Sequence, residues 1–206
     1  MHPLYRVLRF IARALAFVIF PYKIIGREKI PPTGPLILCA NHVSFIDPVW
    51  LGIAVKNRQI YFMAKEELFE IKILGGIIRR LGAFPVRRGG SDVDAMKSGY
   101  EVLQKGNIMG IFPEGTRSKT GQLGRAKAGA AVIAHKSKTN ILPVAIVLPG
   151  QRVKPFRRVK VVIGDLIPYD SLGISDDAGL KAYREAGAKL MQPIANMIEE
   201  NKIHAN

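Results

Sequence analysis

Cysteine occurs once, as Cys39, in a chain of 206 residues. A single cysteine excludes an internal disulfide framework and fits a reducing compartment. Acidic residues are also scarce: 16 Asp and Glu stand against 31 Lys and Arg, giving a formal net charge of +15. A surplus of that size points to nucleic acid, membrane headgroups or a phosphorylated substrate, and charge alone does not choose among them. There is no G-x-S-x-G nucleophile elbow. Apart from Cys39, which reads as a buried strand residue, no His or Cys lies near His42, which disfavours a metal site. An interleaved aromatic platform and a recognisable reading helix are both missing, so nucleic acid is not expected as a partner. Internal repeats, low-complexity tracts and long linkers are absent as well. With 48% hydrophobic residues the chain has enough apolar content for one domain with a sizeable core.

The first twenty residues are apolar and basic, yet a spanning helix needs roughly 20 uninterrupted apolar residues. Here Arg9 and Arg13 interrupt the run, and no small-residue cleavage site follows it. On a helix, Arg6, Arg9 and Arg13 share one narrow wedge, while Leu4, Val7, Leu8, Ile11, Leu15, Val18 and Ile19 fill the remainder. Such a helix suits the lipid interface, with the Arg heads in the headgroup layer. The alternative is a helix packed on its own domain with Arg toward water. Pro21 ends it. The resulting division is residues 1–21 as a membrane-interface helix and 22–206 as the main domain.

Beyond Pro21, short aliphatic runs bounded by Gly, Pro or charge read as strands: 36–40, 60–64, 108–112, 141–148 and 159–163. Between them lie helical stretches. One runs from Asp92 to Lys105, with Ser91 as N-cap, Asp94 completing a capping box and Gly106 as the stop. Another begins at Pro48 behind Asp47 as N-cap. Others are expected at 72–81, 127–136 and from 178 to about 200. This alternation predicts an α/β fold, a mostly parallel sheet flanked by helices, preceded by the amphipathic N-terminal helix. In such sheets the chemistry belongs to loops after the carboxyl ends of strands.

Three loops of that kind carry reactive residues. Asn41-His42-Val43-Ser44-Phe45-Ile46-Asp47-Pro48 follows the strand at 36–40. If the turn curls back, Asp47 can fix the imidazole tautomer of His42 and make it a general base. Asp47 as a plain helix cap beside an ordinary loop histidine remains open on spacing alone. Phe112-Pro113-Glu114-Gly115-Thr116-Arg117-Ser118 combines a close-approach glycine, two hydroxyls and a guanidinium suited to phosphate. Glu114 would fix Arg117 or bind a substrate hydroxyl. Gly82 to Gly90 ends in Arg87 and Arg88, a second phosphate clamp or an exposed turn, and Lys127 adds charge near the same end of the sheet.

These blocks, in this order, resemble the glycerolipid acyltransferase superfamily, most closely bacterial 1-acylglycerol-3-phosphate O-acyltransferases. Asn41-His42 to Asp47 resembles the family's NH-x4-D block, Gly82 to Arg88 its second block, and Phe112 to Ser118 its FPEGTRS block letter for letter. Leu142-Pro143-Val144 resembles its fourth block, and Gly164-Asp165-Leu166-Ile167-Pro168 a turn common near its C-terminus. The second block departs from the common form at Pro85 and Arg87. The resemblance, covering about residues 24–168, implies that His42 and Asp47 are catalytic. It implies Arg88, Glu114, Gly115, Thr116, Arg117, Ser118 and Lys127 as substrate-binding residues, with no cofactor and no metal. It further implies a sequential mechanism with a lysophosphatidic acid acceptor and a thioester donor, on coenzyme A or acyl carrier protein. Ser44 then reads as turn chemistry and Cys39 as a buried strand residue, neither a nucleophile.

The acceptor would already lie in a bilayer, which implies peripheral or monotopic attachment to the cytoplasmic face of the cell membrane, an anionic surface that Arg6, Arg9, Arg13, Lys23, Arg27 and Lys29 would hold. Arg152, Lys154, Arg157, Arg158 and Lys160 form a later basic cluster, suited to the membrane, to an acidic carrier protein or to plain solvation. Two alternatives stand beside the leading reading: acylation of another lysophospholipid or of glycerol 3-phosphate, and a basic membrane-binding module without catalysis.

Overall fold

A computed structural model describes residues 1–86, 92–151 and 155–203, with backbone alone at 92–95 and 151. Seven strands form a single sheet: β1 (Tyr22–Ile25), β2 (Leu36–Ala40), β3 (Ile60–Lys65), β4 (Ala83–Val86), β5 (Ile108–Ile111), β6 (Ile141–Val147) and β7 (Val159–Ile163). Their spatial order is β1-β7-β6-β2-β5-β3-β4. The five strands from β6 to β4 are mutually parallel, whereas β7 runs antiparallel to β6 and β1 parallel to β7. The sheet is therefore mostly parallel, with helices on both faces, as the alternation of apolar runs predicts.

Strand β2 sits at the centre because all five of its side chains are apolar enough to be buried on both sides. Its alternation divides the core. Leu36, Leu38 and Ala40 face helices α1 (Pro3–Ile19) and α2 (Asp47–Ala54), while Ile37 and Cys39 face the opposite layer. That layer is built from α5 (Asp92–Gln104), α6 (Gly129–Ser137) and α7 (Leu180–Glu200). Two further helices, α3 (Glu67–Glu70) and α4 (Lys72–Arg80), lie beyond the carboxyl end of β3. Pro143 is tolerated inside β6 because β7 stops pairing beside it. Its carbonyl still accepts the Gly164 N–H at 2.8 Å, and no ladder bond needs its missing donor.

Parallel order places the ends of β2, β3, β4, β5 and β6 along one edge, where the reactive loops begin. Helix α1 climbs to that edge across α2. At its start the His2 N–H donates to Gln59 Oε1 at 2.9 Å, just before β3, and at its end the chain enters β1 level with the start of β7.

The orientation of α1 corrects the expectation for Arg9, while Arg6 stays exposed. Tyr5 and Ala16 are buried, and Arg9 points inward, donating to the carbonyl oxygens of Val55 (2.7 Å) and Lys56. Arg27 joins it, bonding the carbonyls of Ala54 (3.0 Å) and Ile53 (3.2 Å). These carbonyls close the C-terminus of α2 and lack partners within the helix, so a guanidinium satisfies them and complements the helix dipole. Burial pushes the pKa of both guanidinium groups down from the ordinary arginine value. Apart from Arg6, what faces outward is largely apolar: Phe10, Phe17 and Val18 are 74%, 77% and 69% exposed, with Val7, Ile11 and Leu15 beside them.

Candidate active site

The turn after β2 does curl back. His42 Nδ1 lies 2.8 Å from Asp47 Oδ2, and Asp47 is fully buried. A carboxylate only accepts, so the imidazole proton sits on Nδ1 and the lone pair on Nε2 is free to act as a base. The same Oδ2 accepts the N–H groups of Val43 and Ser44, both at 2.7 Å, which fixes the backbone of the turn as well as the ring. Asp47 is thus the first residue of α2 rather than its N-cap, and its carboxylate serves the loop instead of its own helix. Ser44 accepts a long bond from the Ile46 N–H at 3.4 Å, as turn chemistry would have it. Cys39 is fully buried, and desolvation pushes its thiol up to about 12, so no thiolate forms there near neutral pH.

Contacts from distant parts of the chain hold His42 in place. Asn41 is 3% exposed; its amide donates to the Ile146 carbonyl at 3.0 Å and accepts the Ile146 N–H at 2.7 Å. The side chain thereby continues the β2–β6 ladder one step past the strand. Phe112 stacks on the imidazole, with ring centroids 4.1 Å apart and planes inclined by 15°. Phe62 lies parallel behind it at 6.0 Å. Gly110 makes room for that ring, since a Cβ there would fall 2.1 Å from Phe62 Cε1.

The 112–118 turn is stapled to the His42 loop from both ends. Glu114 Oε1 accepts the His42 N–H at 2.7 Å, and the Ser118 N–H donates to the His42 carbonyl at 2.8 Å. The second oxygen of Glu114 accepts the Gly124 N–H at 2.9 Å, and the residue is 6% exposed. Glu114 is therefore committed to backbone donors and does not fix Arg117, contrary to the sequence-based expectation. The role of Glu114 as a brace for His42 and the role of Phe112 as its stacking partner had no local sequence signal; both depend on β5 lying beside β2.

Gly115 is required twice. Its φ is +68°, and a Cβ would meet Lys127 Cδ and Cε at 2.9 Å. Lys127 is anchored by its own N–H to the Pro113 carbonyl at 2.8 Å, which lays its ammonium over the turn. Thr116 and Arg117 are exposed, and among the described residues neither side chain has a partner. Lys127, Thr116, Arg117 and the Ser118 hydroxyl thus gather at one turn directly beside His42, a set of donors suited to phosphate oxygens. Arg88 lies outside the described residues; β4 ends two residues before it, at the same edge of the sheet. Arg152 and Lys154 also lie outside them, and Arg157 and Arg158 are exposed.

The family model described as Acyltransferase matches residues 21–147, which span β1 to the end of β6 and include the whole site. The chain belongs to the acyltransferase family. Among curated relatives of this acyltransferase, a 1-acyl-sn-glycerol-3-phosphate acyltransferase of Bacillus subtilis is 30% identical over 86% of this chain and 90% of its own length. One from Streptococcus pneumoniae is 40% identical over 75% of this chain and 58% of its own length. A solved structure described as the 1-acyl-sn-glycerophosphate (LPA) acyltransferase PlsC from Thermotoga maritima superposes with a TM-score of 0.75. It covers 96% of this chain and 80% of that one, at 25% identity.

Proposed function

We propose that this acyltransferase moves a fatty acyl group from a thioester, on coenzyme A or acyl carrier protein, to the sn-2 hydroxyl of lysophosphatidic acid, giving phosphatidic acid. The observation that carries the proposal is the His42–Asp47 pair at 2.8 Å, placed directly beside the Arg117 turn. His42 Nε2 takes the hydroxyl proton as the acceptor oxygen attacks the thioester carbon. The C–O bond forms, the C–S bond breaks, and the thiolate leaves with the proton returned by the imidazolium. Asp47 stabilises that imidazolium and keeps its orientation. Glu114, Asn41 and Phe112 hold the ring, while Lys127, Thr116, Arg117, Ser118 and Arg88 receive the acceptor phosphate. Names of the relatives favour this acceptor over glycerol 3-phosphate.

The outward face of α1 supports a membrane-bound acceptor. None of the described helices is long and apolar enough to cross a bilayer. Phe17 and Val18 nevertheless sit exposed near the carboxyl edge of the sheet, as do Phe45 in the catalytic turn and Ile71 and Ile73 after β3. An apolar rim around a basic site suits insertion into one leaflet, the cytoplasmic one in this reading, so that a lysolipid reaches His42 without leaving the bilayer. The test is to mix purified protein, lysophosphatidic acid vesicles and a long-chain acyl thioester, then quantify phosphatidic acid. Glycerol 3-phosphate acylated in preference, or a lipid-bound protein with no transfer, would overturn the assignment.

A further inference from the structure

The catalytic edge is divided into two unlike halves. The cationic and hydroxyl groups gather after β5, on the side that leads to β3 and β4. On the other side of β2 lies a cavity of about 260 Å³, walled by Val43, Ile146, Leu148, Ile198 and Ile203, with Lys202 also lining it. Asn41 and Val43, which flank His42 in sequence, both belong to its wall, so the cavity reaches the loop that carries the base. Gly121, from the segment after the 112–118 turn, and Gly150, just past β6, complete it.

A transfer in which both substrates meet at His42 needs a place for each. The phosphate donors of the 112–118 turn serve the acceptor, which leaves the β6 side for the donor. Resting on the function proposed above, we propose that this cavity receives the pantetheine arm of the thioester donor, with Lys202 beside the phosphate at its far end. That arm is common to coenzyme A and acyl carrier protein. Its methylenes and geminal dimethyl group match the aliphatic walls, and its two amides match the peptide groups past the end of β6, where no strand pairs with them. Its sulfur end then falls at the Asn41 and Val43 wall, in the loop that carries His42. A bare acyl chain would offer neither the Lys202 ammonium nor those peptide groups anything to bond. Lys202 is paired at 2.5 Å with Glu199, but both are exposed, and such a pair exchanges readily for phosphate. The end of α7 is itself anchored, because Lys160 Nζ donates to the Asn201 carbonyl at 3.0 Å. Exposed Arg157 and Arg158 add positive charge in the connection from β6 to β7.

The test uses the whole protein with acyl coenzyme A and lysophosphatidic acid varied in turn, in Ile203→Trp and Lys202→Glu. Both residues follow the end of α7; Ile203 packs against the core, whereas exposed Lys202 does not, so Lys202→Glu keeps the test readable if Ile203→Trp disturbs the fold. Filling the cavity or reversing its charge should raise the KM for the donor at least about tenfold, the loss expected when one charge-assisted contact or subsite is removed. The acceptor KM should stay within about twofold. Free 4′-phosphopantetheine should compete with the donor in the parent protein and less so in both variants, whereas pantetheine lacking the phosphate should be indifferent to Lys202→Glu. Unchanged donor kinetics in both variants, a rise confined to the acceptor, or competition by free fatty acid but not by phosphopantetheine would overturn the assignment. A parent protein that makes no phosphatidic acid from either acyl coenzyme A or acyl carrier protein would instead sink the proposed function.

Discussion

Asp47→Asn separates the charge of the orienting group from its shape. Oδ2 accepts from three donors, His42 Nδ1–H at 2.8 Å and the N–H groups of Val43 and Ser44 at 2.7 Å. An asparagine oxygen in that place still accepts, so the turn is expected to hold. What disappears is the negative charge facing the imidazolium that forms during transfer. Two unit charges about 4 Å apart interact by about 4 kcal/mol at an effective dielectric constant of 20. At about 1.4 kcal/mol per decade of rate, this predicts a fall in kcat of roughly a thousandfold. The assay is the initial rate of phosphatidic acid formation at saturating concentrations of both substrates, in Asp47→Asn, His42→Ala and the double variant. Because Asp47 acts through His42, the double variant should be no slower than His42→Ala alone. Turnover within about tenfold of the parent in Asp47→Asn, or a full further loss in the double variant, would refute the reasoning.

Three other outcomes are expected. Glu114→Ala removes two buried charge-assisted bonds, to the His42 and Gly124 N–H groups. Loss of the first alone should destabilise the fold by about 2 kcal/mol, read as a lower denaturant midpoint, and kcat should fall with it; an unchanged midpoint would contradict the bracing role. Arg117→Ala should raise the KM for lysophosphatidic acid more than that for the thioester, and equal effects on both would argue against phosphate clamping. Phe17→Ser combined with Val18→Ser should weaken sedimentation with anionic vesicles while leaving the thermal transition in place, since both side chains are exposed. Unaltered vesicle binding would remove α1 from the membrane contact.

Local signals were enough for the central strands and the chemistry beside them. Buried aliphatic runs marked β2, β5 and β6, and the proline signal placed the start of α2 to within a residue, whereas Ser91, the expected cap of α5, lies outside the described residues. Edge strands were less legible. Tyr22–Ile25 pairs on one side only and alternates poorly, and Ala83–Val86 carries Pro85, which argues against a strand in isolation. The reversal of β7 and β1 depends on a hairpin whose direction no short motif announced. At the site, His42 and Asp47 were readable because only four residues separate them. Glu114, 72 residues from His42, has neighbours that suggest Arg117 or a substrate hydroxyl as its partner, and only the adjacency of β5 and β2 reveals its bond to the His42 backbone. The same holds for Arg9, whose place in a basic stripe suggested headgroups. The bare carbonyls at the end of α2 turn it inward.

The most direct measurement is turnover and vesicle binding of His42→Ala side by side. General bases contribute at least ~10²-fold, so phosphatidic acid formation should fall by that factor or more while sedimentation with vesicles stays at the parent level. Near-parental turnover in this variant would contradict the assignment of Nε2 as the group that accepts the hydroxyl proton.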